Sequence, residues 1–220
     1  MFPTSDEIDK RLVKTIDTKL GKWKILRRGG FFGPNASGKT SFIESMYFAK
    51  HFIVDGQRRG VGTGIDQFRS DIADLEGKST FQFMFYLSEE VYEYGFSVDT
   101  KQVFEEWLMV LTEKDFQPMF LRQTLEDGTT QIEIESRLAR KNSKGRKVAD
   151  VLKDSMRKKQ KNQLFLYKLY DNGVKRAETI MEWFKNIQII FPNTTVQGLP
   201  LKMDRDEDFR EFISEGLKKM

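Results

Sequence analysis

Between residues 79 and 135 the chain alternates with a period of two. Phe81, Phe83, Phe85 and Leu87 alternate with Gln82, Met84 and Tyr86. Tyr92, Tyr94, Phe96 and Val98 then alternate with Glu93, Gly95 and Ser97. Residues 103–111, 119–123 and 130–135 continue the pattern, and only short polar breaks separate the runs. A period of two with short breaks predicts an antiparallel meander with one packed face. Tyr92, Tyr94, Phe96, Trp107 and Phe81 to Phe85 could form a ligand box, but the strand alternation reads them as core.

Elsewhere the period lengthens to that of a helix. Phe42, Ile43, Met46, Tyr47, Ala49, Phe52 and Ile53 predict a helix over 40–54 with one wide apolar face. Further helices are predicted over 163–170 and over 177–190, where Pro192 follows the end, and from about 207 to 219. A short helix is predicted over 6–16. A strand is predicted over 23–32, although Arg27, Arg28, Gly29 and Gly30 stand where a buried parallel strand carries branched apolar residues. Gly56, Gly60, Gly62 and Gly64, with Arg58 and Arg59, predict a flexible loop. Three parts result: 1–78, 79–136 and 137–220.

The 220 residues, 39% of them hydrophobic, suffice for one sizeable core or for one domain with an insertion. There is no cysteine, which excludes disulfides, thiolate zinc sites and cysteine nucleophiles. The single histidine, His51, reads as a helix-surface residue and argues against Ser-His-Asp catalysis. No apolar run reaches the ~18 residues of a membrane helix. The first ten residues carry three acids and no apolar signal core, so a cytoplasmic protein with no membrane partner is expected. The net charge of +4 is uneven. From Arg137 to Lys161 there are 11 Lys/Arg and two acids, a net of +9, which leaves −5 for the remainder. Read plainly, that segment is a solvated, partly disordered loop and helix face. It also suits nucleic acid phosphates or an acidic protein, without base stacking, because it holds no aromatic residue.

Gly33-Pro34-Asn35-Ala36-Ser37-Gly38-Lys39-Thr40 fits G-x-x-x-x-G-K-[ST], the phosphate-binding loop of nucleoside triphosphatases. Glycines let the backbone curl so that successive N–H groups face phosphate oxygens. Gly38 permits close approach, and the following helix, opening with Ser41 after Thr40, turns its positive end to the anion. Lys39 is expected at the β- and γ-phosphates, and Thr40 on Mg²⁺. ATP with Mg²⁺ is the expected ligand. No N-K-x-D guanine motif is present, and Asn35 stands where small nucleotide kinases usually carry a second glycine.

The loop with its Asn35, followed by Phe42-Ile43 and Phe48-Ala49-Lys50, resembles the ABC/SMC-like AAA-type ATPases of bacterial abortive-infection and overcoming-lysogenisation-defect proteins. Ser79-Thr80-Phe81, Tyr92-Glu93-Tyr94-Gly95-Phe96, Glu105-Glu106-Trp107-Leu108, Gln163-Leu164-Phe165-Leu166 and Trp183-Phe184 extend the resemblance. It implies an α/β P-loop lobe of ABC type, with an antiparallel meander and a helical subdomain. It also implies a homo-oligomer that sandwiches ATP, and an effector, a nuclease or toxin, in anti-phage defence. By the same resemblance Gln163 would sense Mg²⁺ and the γ-phosphate; by itself it is a polar residue at a helix start. The signature motif, the switch histidine and the aspartate-glutamate pair after an apolar strand are not found after Thr40. The chain therefore reads as the N-terminal lobe of a longer ATPase, able to bind ATP without the residues that would hydrolyse it. Two other readings stay open: a small P-loop kinase, and a non-enzymatic scaffold that binds nucleic acid or a partner with ATP as a structural ligand.

Overall fold

The computed structural model describes residues 13–58, 60–65, 77–157 and 161–191, together with Glu207, Arg210, Glu211 and Ser214. The chain forms two compact units, Met1–Ile187 and Gln188–Met220. In the first, strands β1 (Val13–Thr18) and β2 (Gly21–Leu26) make an antiparallel hairpin, and helix α1 (Lys39–Val54) follows. Next come β3 (Ser79–Leu87), β4 (Glu90–Val98), β5 (Val103–Leu111), β6 (Phe116–Thr124) and β7 (Thr130–Ile134). Helices α2 (Lys144–Met156), α3 (Phe165–Asp171) and α4 (Lys175–Lys185) complete the unit.

β3 to β7 form one antiparallel sheet in sequence order, the meander that the alternation predicts. The helices cover one face of it. Phe52 of α1 packs on Phe96 with ring centroids 5.4 Å apart. Phe184 of α4 meets Phe83, Phe85 and Tyr94 edge-on at 5.3, 5.5 and 5.5 Å, and Phe165 of α3 meets Phe120 at 5.1 Å. Helices segregated to one face of an antiparallel sheet make a mixed α/β fold of the α+β kind. Each fully buried aromatic side chain contributes roughly 1.5–3 kcal/mol, so this layer of rings dominates the core.

Several boundaries differ from the sequence expectation. Val13–Ile16 is strand, not the end of a helix, because β-branched residues pair across a tight turn and Ile16 is buried on the hairpin. Residues 6–12 of the expected helix lie outside the described residues. The strand expected over 23–32 ends at Leu26; the Arg-Arg-Gly-Gly run after it offers neither apolar burial nor strand propensity. α4 stops at Lys185, where the Asn186 N–H bonds back to the carbonyls of Glu182 and Phe184 and tightens the last turn. The basic segment contains a well-formed helix, α2, capped by the Ser143 hydroxyl accepting from the Arg146 N–H.

The glycine loop is pinned over its described residues. The Thr63 side chain is buried and its hydroxyl donates to the Asp99 carbonyl, while its N–H donates to the Thr100 carbonyl at 3.0 Å. Asn162 holds the Arg58 carbonyl at 2.7 Å and also that of Val61. The four described residues between 207 and 214 are helical, in the second unit. Among the described residues, no helix is long and apolar enough to cross a membrane.

Candidate functional site

The phosphate loop stands between β2 and α1. Pro34 to Ser37 close a turn in which the Ser37 N–H donates to the Pro34 carbonyl at 3.3 Å. Ala36 has φ 64° and Gly38 φ 84°, so both are left-handed. Such residues turn successive amides toward a common centre, the geometry of an anion nest. A Cβ on Gly33 would lie 2.7 Å from the Ser37 Oγ, so any side chain there displaces Ser37.

Gly38 is also the N-cap of α1. It offers no side-chain acceptor, and the first turn contains no acid. The first N–H groups of α1 and its positive end are thus left to a ligand. Thr40 and Ser41 are exposed on that turn. The Lys39 ammonium folds over the loop and donates to the carbonyls of Gly33 (2.7 Å) and Pro34 (2.6 Å) and to the Ser37 Oγ (3.3 Å). The carbonyl groups inside the loop thereby hold the ammonium within the turn. The donor set, backbone amides with one ammonium and the Thr40 hydroxyl, fits a triphosphate carrying a hard cation.

The neighbourhood is only half covered. Phe31, Phe32, Phe42, Ile43 and Tyr47 are 61%, 96%, 45%, 36% and 45% exposed. The wide apolar face expected on α1 is buried only over its last turns, at Ala49, Phe52 and Ile53. All strand pairing among the described residues is antiparallel, and no parallel strand flanks the loop.

Gln163 is not brought to this loop. Its side-chain amide donates to the Gln57 carbonyl, beyond the far end of α1. Sixteen helical residues rise about 24 Å. Three residues can return at most ~10 Å, which leaves the Cα of Gln57, whose carbonyl the Gln163 amide holds, on the order of 12 Å or more from the start of α1.

Gln163 instead belongs to a buried polar cluster that the alternation did not reveal. Glu106 and Arg122 face each other across β5 and β6 with both side chains fully enclosed, Nη1 to Oε2 at 3.2 Å. The Glu106 carboxylate also accepts from the Tyr94 hydroxyl (3.0 Å) and from the N–H groups of Phe165 (2.6 Å) and Leu166 (2.9 Å). It thus caps α3 with a negative charge at the favourable end. Arg122 donates to the carbonyls of Gln163 and Lys161. Burial pushes the Glu106 carboxyl above its ordinary range, while Arg122, the two N–H groups and Tyr94 hold it back. The available signal was parity, because Glu106 and Arg122 occupy inward positions of their strands.

A family model described as "AAA domain, putative AbiEii toxin, Type IV TA system" matches residues 30–150, which is 121 of the 220 residues. The match begins just before the phosphate loop and runs through the whole meander into α2. No curated protein matches the chain, and no solved structure does.

Proposed function

The chain belongs to this AAA-domain family, and from that premise we propose that it is the ATP-binding lobe of an ABC-like ATPase, acting as a nucleotide-gated dimer that controls an effector in anti-phage defence. The observation that carries the reading is the loop itself: left-handed Ala36 and Gly38, an uncapped α1 N-terminus and Lys39 turned into the same space. When bound, Mg²⁺ would neutralise charge on the β- and γ-phosphate oxygens. The amides of Asn35 to Thr40 would orient the phosphates, with the Thr40 hydroxyl toward the metal and Ser41 on the same turn. Lys39 would exchange the carbonyls of Gly33 and Pro34 for phosphate oxygens.

The exposed apolar residues around the loop support the further reading that this site is completed by another polypeptide segment. In this reading the water-polarising carboxylate comes from outside these residues, so the lobe binds ATP without turning it over alone. ATP affinity of the wild type and of Lys39→Ala, measured by titration calorimetry with Mg²⁺, tests the proposal. Removing the ammonium is expected to weaken binding by at least tenfold, the scale of one charge-assisted contact. Equal affinities would overturn it.

A further inference from the structure

Among the described residues, the face of the five-stranded sheet away from the helices carries a hollow of about 450 Å³. Its lining includes Glu93, Glu105, Trp107, Met109, Leu121 and Glu133. The register sets Trp107 between Gly95 and Leu121, with Glu133 opposite Leu121, and sets Glu93 opposite Met109. The charges that line the hollow from these outward positions are all acidic, in a chain whose net charge is +4.

Trp107 is held flat. A Cβ on Gly95 would lie 2.2 Å from its Cζ2 and 2.5 Å from its Cε2, so the indole rests directly on the glycine backbone. Its Nε1–H donates to Glu93 Oε1 at 2.9 Å. Trp107, read as core from the alternation, is instead only partly buried and lines the hollow on this outward face. An indole face ringed by carboxylates attracts an Arg or Lys side chain, through cation–π attraction and ion pairing together. The same charges repel a nucleic acid.

The matching surface is on this same chain. Arg137, Arg140, Lys141, Lys144 and Lys147 are exposed on and before α2, and Val151 on the same helix is 68% exposed. α2 packs on the helix side of the sheet through Ala149 and Met156, and Arg146 bonds the Ile134 carbonyl of β7. Its outward cations therefore face away from the hollow of their own molecule.

We propose that the hollow over Trp107 is a docking site for the basic face of α2 of a second copy of this chain, with a cationic side chain over the indole and Val151 against the apolar floor. The contact is head-to-tail, so it propagates or closes into a ring. It goes beyond the ATP reading and uses none of the phosphate-loop residues.

Sedimentation velocity of the full chain without nucleotide, over a concentration series at low and high salt, tests it. Association is expected at low salt and is weakened by salt. Trp107→Ala weakens it by about tenfold, and so does Lys144→Glu combined with Lys147→Glu. Mixing a Glu93→Lys/Glu105→Lys/Glu133→Lys protein with the Lys144→Glu/Lys147→Glu protein restores association that neither shows alone. Urea melts identify any variant that fails to fold, and Trp107→Phe, which keeps an aromatic face, then replaces Trp107→Ala with an intermediate loss expected. A chain that stays monomeric throughout, or associates equally well in the Trp107 variants, overturns the proposal. So does association that appears only with ATP and is lost in Lys39→Ala, which would assign it to the phosphate loop.

Discussion

Glu106→Gln is the sharpest test of what holds the sheet to the helices. The carboxylate receives four donors: the Tyr94 hydroxyl, Arg122 Nη1 and the N–H groups of Phe165 and Leu166. Neither it nor Arg122 has any exposed side-chain surface. All four neighbours donate, so the geometry calls for the charged carboxylate. Glutamine keeps one accepting oxygen and turns an NH₂ toward groups that are themselves donors. It also leaves the Arg122 guanidinium enclosed without a counter-charge, and its Nε already has no hydrogen-bond partner. Removing one member of such a pair costs about 3–5 kcal/mol. With a urea slope of ~2–3 kcal/mol/M for a domain of this size, the midpoint falls by about 1–2 M. Urea unfolding followed by tryptophan fluorescence reads this directly. Replacing both residues, as Glu106→Met with Arg122→Met, removes the stranded charge and should cost far less than the two single losses added together. A Glu106→Gln loss below ~1 kcal/mol, or strict additivity in the double variant, would refute the reasoning.

Ala36→Gly should raise stability by up to about 1 kcal/mol, because φ 64° strains any residue with a Cβ; a lower melting temperature would contradict this. Ser143→Ala should cost about 1 kcal/mol by removing the cap of α2, read as a lower urea midpoint and reduced helical circular dichroism. Gly95→Ala should cost roughly 1–3 kcal/mol and shift tryptophan emission, since the new Cβ drives the Trp107 indole off the sheet. Burial alone would raise the Glu90 carboxyl, but hydrogen bonds from Tyr92 and Lys19 and the charge of Arg176 hold it below its ordinary 4.5. With its folded pKa depressed, Glu90 contributes stability that is present above pH ~4.5 and lost as the pH falls below it; Glu90→Gln should flatten that acid limb of a stability–pH profile.

Much of the architecture was legible in residue order. Two-residue alternation is a property of the strand itself, so Phe81, Phe83 and Phe85, and Tyr94 with Phe96, declared both the strands and their inward face. Short polar breaks forced antiparallel neighbours, and the meander followed. The phosphate loop was legible because its chemistry requires fixed residues at fixed spacing, and the left-handed backbone at Gly38 answers that spacing. Within the basic segment only a helix face was legible, without the bounds of α2, because its high charge conceals a narrow apolar stripe, of which Ala149 and Met156 are buried.

The partners of these elements lay outside that reading. The Glu106–Arg122 pair depends on the β5–β6 register, and the placement of Trp107 on Gly95 depends on that of β4–β5. Register is set by turns and by packing between strands, and no single strand encodes it. The position of Gln163, at the far end of α1 from Lys39, follows from how α3 docks on the sheet through Phe165 and the Glu106 cap. Local periods and the loop motif were therefore determined by the sequence alone. Which buried charges meet, and which glutamine faces which loop, was decided only by tertiary packing, because those pairings are made by surfaces that come together only when the sheet and the helices close on each other.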